Sequence, residues 1–189
     1  NVTGVQTRAL PIFGDEDIYK NGLMSNIRQK PNFYPDYELH VFYDKTVNIN
    51  YLISIEDYCH LHYGDDKIPG YFWRFYLSDE ITKDLILFRD IDSRFTQREV
   101  SAIEEWKSTD KKLHIMRDHP HHNYKMMAGM WGIKGERNFC MKEKIKDFAH
   151  RNEKILHSKI SDQIFLESIY DLYRNEMLVH DNWNRFNDS

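Results

Sequence analysis

The 189-residue sequence predicts an α/β fold with a mixed, mostly parallel sheet flanked by helices. Three observations lead there. Short apolar stretches of strand character alternate with longer stretches of helical periodicity. Turn chemistry such as Gly64-Asp65-Asp66-Lys67-Ile68-Pro69-Gly70 separates them. One apolar strand, Asp84 to Arg89, runs straight into a charged segment, and open α/β sheets bind ligands at such strand ends.

Taken in order, Arg8 to Phe13 reads as a first strand, and Gly14-Asp15 turns into a helix from about Asp17 to Lys30. Pro31 and Pro35 bracket a loop. Tyr37, Leu39, Val41 and Tyr43 alternate as in a strand. A short helix over Asn48 to Glu56 and an extended piece over Cys59 to Tyr63 follow. Tyr71 to Glu80 is expected to be helical, with its aromatic residues turned inward. Thr96-Gln97-Arg98-Glu99 is a capping box opening a helix through Trp106. Leu113 to Met116 is another strand. Met127 to Ile133 carries Gly129 and Gly132 around Met130-Trp131, and helices over Met141 to Asn152 and Asp162 to Asn175 precede a short segment ending at Asp181.

Lys+Arg total 26 against Asp+Glu 30, a net charge of −4, so no global basic field argues for nucleic acid. No run approaches the ~20 apolar residues of a membrane helix. Cys59 and Cys140 lie far apart, form no metal-type spacing, and read as buried free thiols of a reducing compartment. Val2 to Ile12 resembles the translation of a sequencing-adapter fragment, with Arg8 where that fragment gives cysteine. Residues 1–12 are therefore expected to be a non-native leader, and the Asn1-Val2-Thr3 sequon is disregarded. Residues 13–181 are read as one domain truncated at both ends, with 182–189 as a tail.

The chain holds 18 aspartates, and at that density chance gives roughly two Asp-x-Asp pairs. Two occur. Asp15/Asp17 reads as the acidic start of a helix. Asp90/Asp92 ends the apolar strand, between Arg89 and Arg94. Carboxylates on a rigid strand end are hard ligands for magnesium or manganese, and guanidiniums suit phosphate oxygens.

Four further clusters have both a structural and a functional reading. Trp73-Arg74-Phe75 is either a core aromatic helix or a site where Arg74 reaches a diphosphate. Arg117-Asp118-His119-Pro120-His121-His122 is either a polar loop or a zinc site, although no second pair at zinc-finger or His-Glu-x-x-His spacing accompanies it. Gly129-Met130-Trp131-Gly132 either presents an indole face to a ligand or forms a turn with a core tryptophan. Asp162 caps a helix or serves a site, as does His180-Asp181 near the end.

Together these stretches resemble a glycosyltransferase family of the GT-A-like nucleotide-diphospho-sugar transferase fold, common among bacterial and viral surface-glycan enzymes. The matching strings are Phe72-Trp73-Arg74-Phe75, Phe88 to Arg94, Arg98-Glu99 with Trp106, and His114 to Pro120. Gly129 to Gly132, Asp162 to Leu166 and Val179-His180-Asp181 complete them, and Phe13-Gly14 to Asp44 looks like the nucleotide-binding start.

The resemblance implies a metal-dependent transferase that moves a sugar from a nucleotide-sugar donor to a glycan or lipid-linked glycan acceptor. It implies Asp90 and Asp92 as ligands of a divalent manganese or magnesium, with His180 as a late ligand. Arg74 and Arg94 are implied for the diphosphate, and Trp73 and Trp131 as aromatic contacts to the bound molecules. Asp118 and Asp162, with Trp131 beside them, are implied for the acceptor side, where a carboxylate acts as base or positions the sugar. The expected location is the cytoplasm, at the inner membrane face as a peripheral protein. Two rivals predict otherwise: a metal-dependent hydrolase or phosphoesterase on Asp118, His119, His121 and His122, and a non-catalytic nucleotide- or glycan-binding relic of the fold.

Overall fold

A computed structural model describes residues 5–79, 83–134, 139–184, 186 and 188. Its strands are β1 (Val5–Ile12), β2 (Tyr37–Tyr43), β3 (His60–Tyr63), β4 (Lys83–Arg89), β5 (Leu113–Arg117), β6 (Met130–Lys134) and β7 (Met177–Asp181). Its helices are α1 (Asp17–Phe33), α2 (Ile49–Ile55), α3 (Gln97–Lys107), α4 (Met141–Arg151) and α5 (Ser161–Leu172). A 3-10 helix spans Gly70–Asp79.

The seven strands form one sheet in the order β3-β2-β1-β4-β6-β5-β7. The pairs β1–β2, β1–β4, β2–β3 and β5–β7 are parallel, and β6 runs antiparallel between β4 and β5. The expected mostly parallel α/β sheet is present.

Strand β4 shows why the centre of the sheet is stable. Leu85 and Leu87 point to one face and Ile86 and Phe88 to the other, and all four are at most 1% exposed. Such a continuous apolar run suits a strand covered on both sides. The 3-10 helix, α4 and α5 cover the face of Ile86 and Phe88, where Phe72, Phe75, Phe88, Trp131 and Phe165 pack together. Helices α1 and α2 cover the other face over β1 and β2, and α3 covers it over β4.

Several expectations change in detail. Tyr71 to Asp79 adopts 3-10 rather than α geometry, with Phe72, Trp73, Arg74 and Phe75 consecutively buried. A segment enclosed on all sides needs no single apolar stripe. Helix α1 runs on to Phe33 with Pro31 in its last turn, at the loss of one i→i−4 backbone hydrogen bond. Cys59 is buried, as expected, but Cys140 is exposed at the start of α4 with φ 55°.

Residues 6–12 pair along their length with β2, and Arg8, Ala9 and Leu10 are fully buried. Arg8 stacks 4.3 Å from the Phe95 ring centroid and donates to Glu99 Oε1 at 2.9 Å. Arg89 Nε donates to the same oxygen at 2.7 Å, and its Nη1 donates to Phe88 O at 2.8 Å and Trp131 O at 2.7 Å. One carboxylate on α3 thus joins β1 and β4, while Arg89 reaches on to β6. The capping box is half formed as a result. Thr96 Oγ1 accepts from Glu99 N at 3.1 Å, but the Glu99 side chain is held by the two arginines. Burial would raise the Glu99 carboxyl, yet Arg8 and Arg89 pull it below its ordinary value.

Glu99→Gln leaves two buried guanidiniums without a carboxylate and should cost roughly 3–5 kcal/mol. Arg8→Met leaves one acid facing one base and should cost less than about 1.5 kcal/mol. Urea unfolding checks this order, and equal losses would remove Glu99 from its central role. His114 supplies a pH test. Burial first, then Arg89 and His180, hold its imidazole well below 6.5. Below about pH 6.5 the unfolded chain binds a proton there that the folded chain refuses. Stability should fall as the pH is lowered through that range, by up to about 1.4 kcal/mol per unit. His114→Gln should flatten the slope between about pH 7.5 and 5.5, read from urea midpoints.

Candidate active site

Strand β1 is flanked by β2 on one side and β4 on the other, both parallel to it. The chain order reverses there, so the crevice beyond the carboxyl ends of β1 and β4 is a topological switch point. A cavity of about 280 Å³ lies at this place. Pro11 and Phe13 line it from the end of β1, and Asp90, Ile91 and Asp92 from the end of β4. Tyr19, Tyr71 and Arg74 complete the wall.

The loop after β4 is held from below. Asn26 Nδ2 donates to Ile91 O at 2.9 Å, and Ser93 N and Oγ donate to Asp90 O at 3.1 and 2.6 Å. Gly22 lets α1 approach, since a Cβ there would lie 2.7 Å from Ile91 O and 2.9 Å from Asp92 Cα. Gly129 does the same from the start of β6, where a Cβ would run into the Asp90 carboxylate.

Arg74 organises the polar side. Its guanidinium is almost fully buried, and its Nη1 donates to Arg89 O at 3.0 Å and to Asp90 Oδ1 at 2.6 Å. Its Nη2 reaches Asp162 Oδ2 at 3.4 Å. Asp162 opens α5 and accepts from Gln163 N at 2.9 Å through its other oxygen. Burial raises the Asp162 carboxyl, with the nearby Asp90 charge adding to it, against the opposing pull of Arg74 and the Gln163 amide. Tyr71 anchors the next wall by donating to Leu156 O at 2.6 Å.

Arg74, Asp90 and Asp162, far apart in sequence, are in mutual contact through the arginine, and Asp92 shares their crevice. Arg94 is exposed beside them, donating to Asp92 O at 2.7 Å. The remaining predicted residues lie elsewhere. Trp73 is buried, with its indole N–H donating to Ile68 O at 2.8 Å and Asp65 O at 3.1 Å. Trp131 is fully buried, its ring stacked 4.1 Å from that of Phe88, so its face meets the core instead of a ligand. Both are core residues because their strand or helix is enclosed on both sides.

Asp118 accepts from Arg98 Nε and Nη2, each at 2.8 Å, and this two-pronged ion pair keeps it out of the crevice lining. His180 contacts His114 Nε2 at 2.9 Å and Glu105 at 3.2 Å, on the α3 side of the sheet. The alternation of a strand decides this. Asp90 faces Arg74 on the other side, so the neighbour of His180, Asp181, shares its orientation and pairs with Arg117 at 3.0 Å.

The aromatic wall of Phe13, Tyr19 and Tyr71 escapes a reading built on charged motifs. The one available signal was Phe13 directly following an apolar strand. The gap-making roles of Gly22 and Gly129 needed the packing.

The sequence matches no protein-family profile and no curated protein. Solved structures do match in shape. The glycosyltransferase GlyE of Streptococcus pneumoniae TIGR4 superposes with TM-score 0.63 and 12% identity, over 97% of this chain and 47% of that one. An active-site mutant of LgtC gives 0.62 and 13%, covering 92% and 72%. The fold is that of the GT-A glycosyltransferases. The mannosyltransferase PcManGT from Pyrobaculum calidifontis, solved with GDP-Man and Mn2+, gives 0.58 and 10%, covering 96% and 56%. This chain spans about half the length of GlyE and PcManGT, at 47% and 56%. At such identities the likeness is one of fold, and the site must speak for the chemistry.

Two glycine substitutions separate rigid from yielding contacts at the crevice. Gly22→Ala drives a Cβ into backbone and should cost roughly 1–3 kcal/mol. Gly129→Ala meets only the Asp90 side chain, which can turn away, and should cost less. Thermal unfolding of the two variants checks the order.

Proposed function

We propose that this chain is a metal-dependent glycosyltransferase. It moves a sugar from a nucleotide-diphospho-sugar to a glycan or lipid-linked glycan of surface polysaccharide, capsule or lipopolysaccharide type. One observation carries the reading: an exposed carboxylate pair, Asp90 and Asp92, at the strand end beside an aromatic-walled switch-point crevice. The crevice is large enough for part of a nucleotide, and the rings of Phe13, Tyr19 and Tyr71 offer faces on which a base can stack.

The donor set fits a hard divalent cation. Asp90 and Asp92 are oxygen ligands, and Gly129 clears the space around the Asp90 carboxylate. Such a magnesium or manganese ion would be held by these two carboxylates and would neutralise charge developing on a departing nucleoside diphosphate. Arg74 aims Asp90 by holding one of its oxygens, and Asp162 holds Arg74 in turn. We therefore read Arg74 and Asp162 as positioning residues. Arg94, exposed on the same loop, would exchange its bond to Asp92 O for one to a phosphate oxygen. The work belongs in the cytoplasm, where nucleotide sugars are made. No helix among the described residues is long and apolar enough to cross a membrane.

The hydrolase reading has less support. Among the described residues, the Asp118 to His122 loop does not bring three ligand atoms within 4.8 Å of one another.

Nucleoside diphosphates with and without manganese should separate these readings in a thermal-shift titration. A ligand at about 100 times its Kd stabilises the folded chain by about 2.7 kcal/mol. One nucleotide should raise the midpoint only with manganese, and Asp90→Asn with Asp92→Asn should abolish the shift. A shift that survives in that variant would sink the assignment. Binding without sugar turnover would favour the non-catalytic relic.

A further inference from the structure

The sheet edge farthest from β7 carries a second group of ligand-type side chains. Strands β2 and β3 pair in parallel with His40 opposite His60 and Phe42 opposite His62. Glu38 and His40 are two residues apart on β2, as are His60 and His62 on β3, so strand alternation sets each pair on one side of its strand. The ligand atoms of Glu38, His40 and His60 all lie within 4.8 Å of one another. His40 Nε2 is 3.1 Å from Glu38 Oε2, and His60 Nε2 is 3.8 Å from the same oxygen.

These separations are close to the roughly 3.3 Å edge of a tetrahedron with zinc–nitrogen bonds of about 2.0–2.1 Å. His40 is 3% exposed, and its other nitrogen, Nδ1, lies 2.8 Å from His62 Nε2. The His62 ring stacks between Phe42 and His40, with centroids at 4.7 and 5.0 Å. When His40 Nδ1 donates its proton to His62, the Nε2 lone pair of His40 faces Glu38 and His60. Metal-bound histidines are oriented in this way, by a partner on the far ring nitrogen.

We propose that Glu38, His40 and His60 form a zinc site, with His62 as the positioning residue behind His40. Two imidazole nitrogens and one carboxylate oxygen suit Zn2+, whereas the oxygen-only pair Asp90/Asp92 suits magnesium or manganese. The zinc site is separate from the proposed donor crevice. Glu38 and His60 lie at the beginnings of β2 and β3, and the crevice lies beyond the carboxyl ends of β1 and β4. A zinc ion here ties the four-residue edge strand β3 to β2. Glu38 and His60 also line a cavity of about 260 Å³, together with Glu56, Asp57 and Cys59.

The test uses the full chain without an affinity tag, stripped by a chelator and carrying Asp90→Asn and Asp92→Asn so that the crevice carboxylates cannot contribute. Zn2+ and Co2+ are titrated, with metal content, the visible spectrum of cobalt and the unfolding midpoint as readouts. The expected result is one metal per chain, a tetrahedral cobalt spectrum and a raised midpoint. His60→Ala changes an exposed residue and should fold; it should weaken zinc binding at least tenfold. His62→Gln should weaken it by roughly 10–100-fold while leaving the stoichiometry unchanged. Absence of binding overturns the proposal. So does binding that His60→Ala leaves intact, or binding that His121→Ala with His122→Ala removes instead.

Discussion

Glu99 is the constraint on which the rest of the molecule depends. Its carboxylate is buried where β1 and β4 run side by side under α3, and it accepts from Arg8 and Arg89 at once. A buried charge survives only when it is paired and hydrogen-bonded, so the positions of all three side chains are tightly tied. Arg89 extends that tie across β6 through Trp131 O. The residue after Arg89 is Asp90. The buried side of the strand end therefore sets where the exposed carboxylate stands.

A second arginine repeats this logic on the opposite face. Arg74 comes from a 3-10 helix enclosed by the core and meets Asp90, Arg89 O and Asp162. Two segments distant in sequence, the end of β4 and the start of α5, converge on one guanidinium, whose planar set of donors can serve several acceptors at fixed angles. Two rigid features then border the crevice, a strand end locked by Glu99 and a carboxylate aimed by Arg74. The wall opposite is aromatic, so a flat apolar group and a charged group can be held side by side.

Strand parity accounts for which predicted residues met and which did not. Successive side chains on a strand point to opposite faces, so a motif such as Val179-His180-Asp181 can serve only one face per residue. His180 went to the α3 side with His114 and Glu105, and Asp181 took the other side with Arg117. The histidines of the Asp118 loop read as a metal motif in a line of text, yet the set that gathers in space is Glu38, His40 and His60. The alternating spacings Glu38-x-His40 and His60-x-His62 were visible in sequence. Their meeting depended on the parallel register of β2 and β3, which neither spacing reveals.

The sequence by itself determined the order and kind of nearly every element, because apolar periodicity, capping residues and turn chemistry act over a few neighbouring residues. It also marked Asp90 and Asp92, since an apolar run ending in paired acids is a local pattern. It left Trp131 open between a ligand face and the core, because burial of an indole depends on what lies across the sheet: here Phe75 and Phe88 pack against it. It gave no sign that β6 would run antiparallel, since strand direction follows from how connections close. Only the tertiary structure joined Arg74 to Asp162 and Glu99 to Arg8, pairs separated by 88 and 91 residues. Interactions of that span depend on sheet order and strand facing, which are properties of the packed whole.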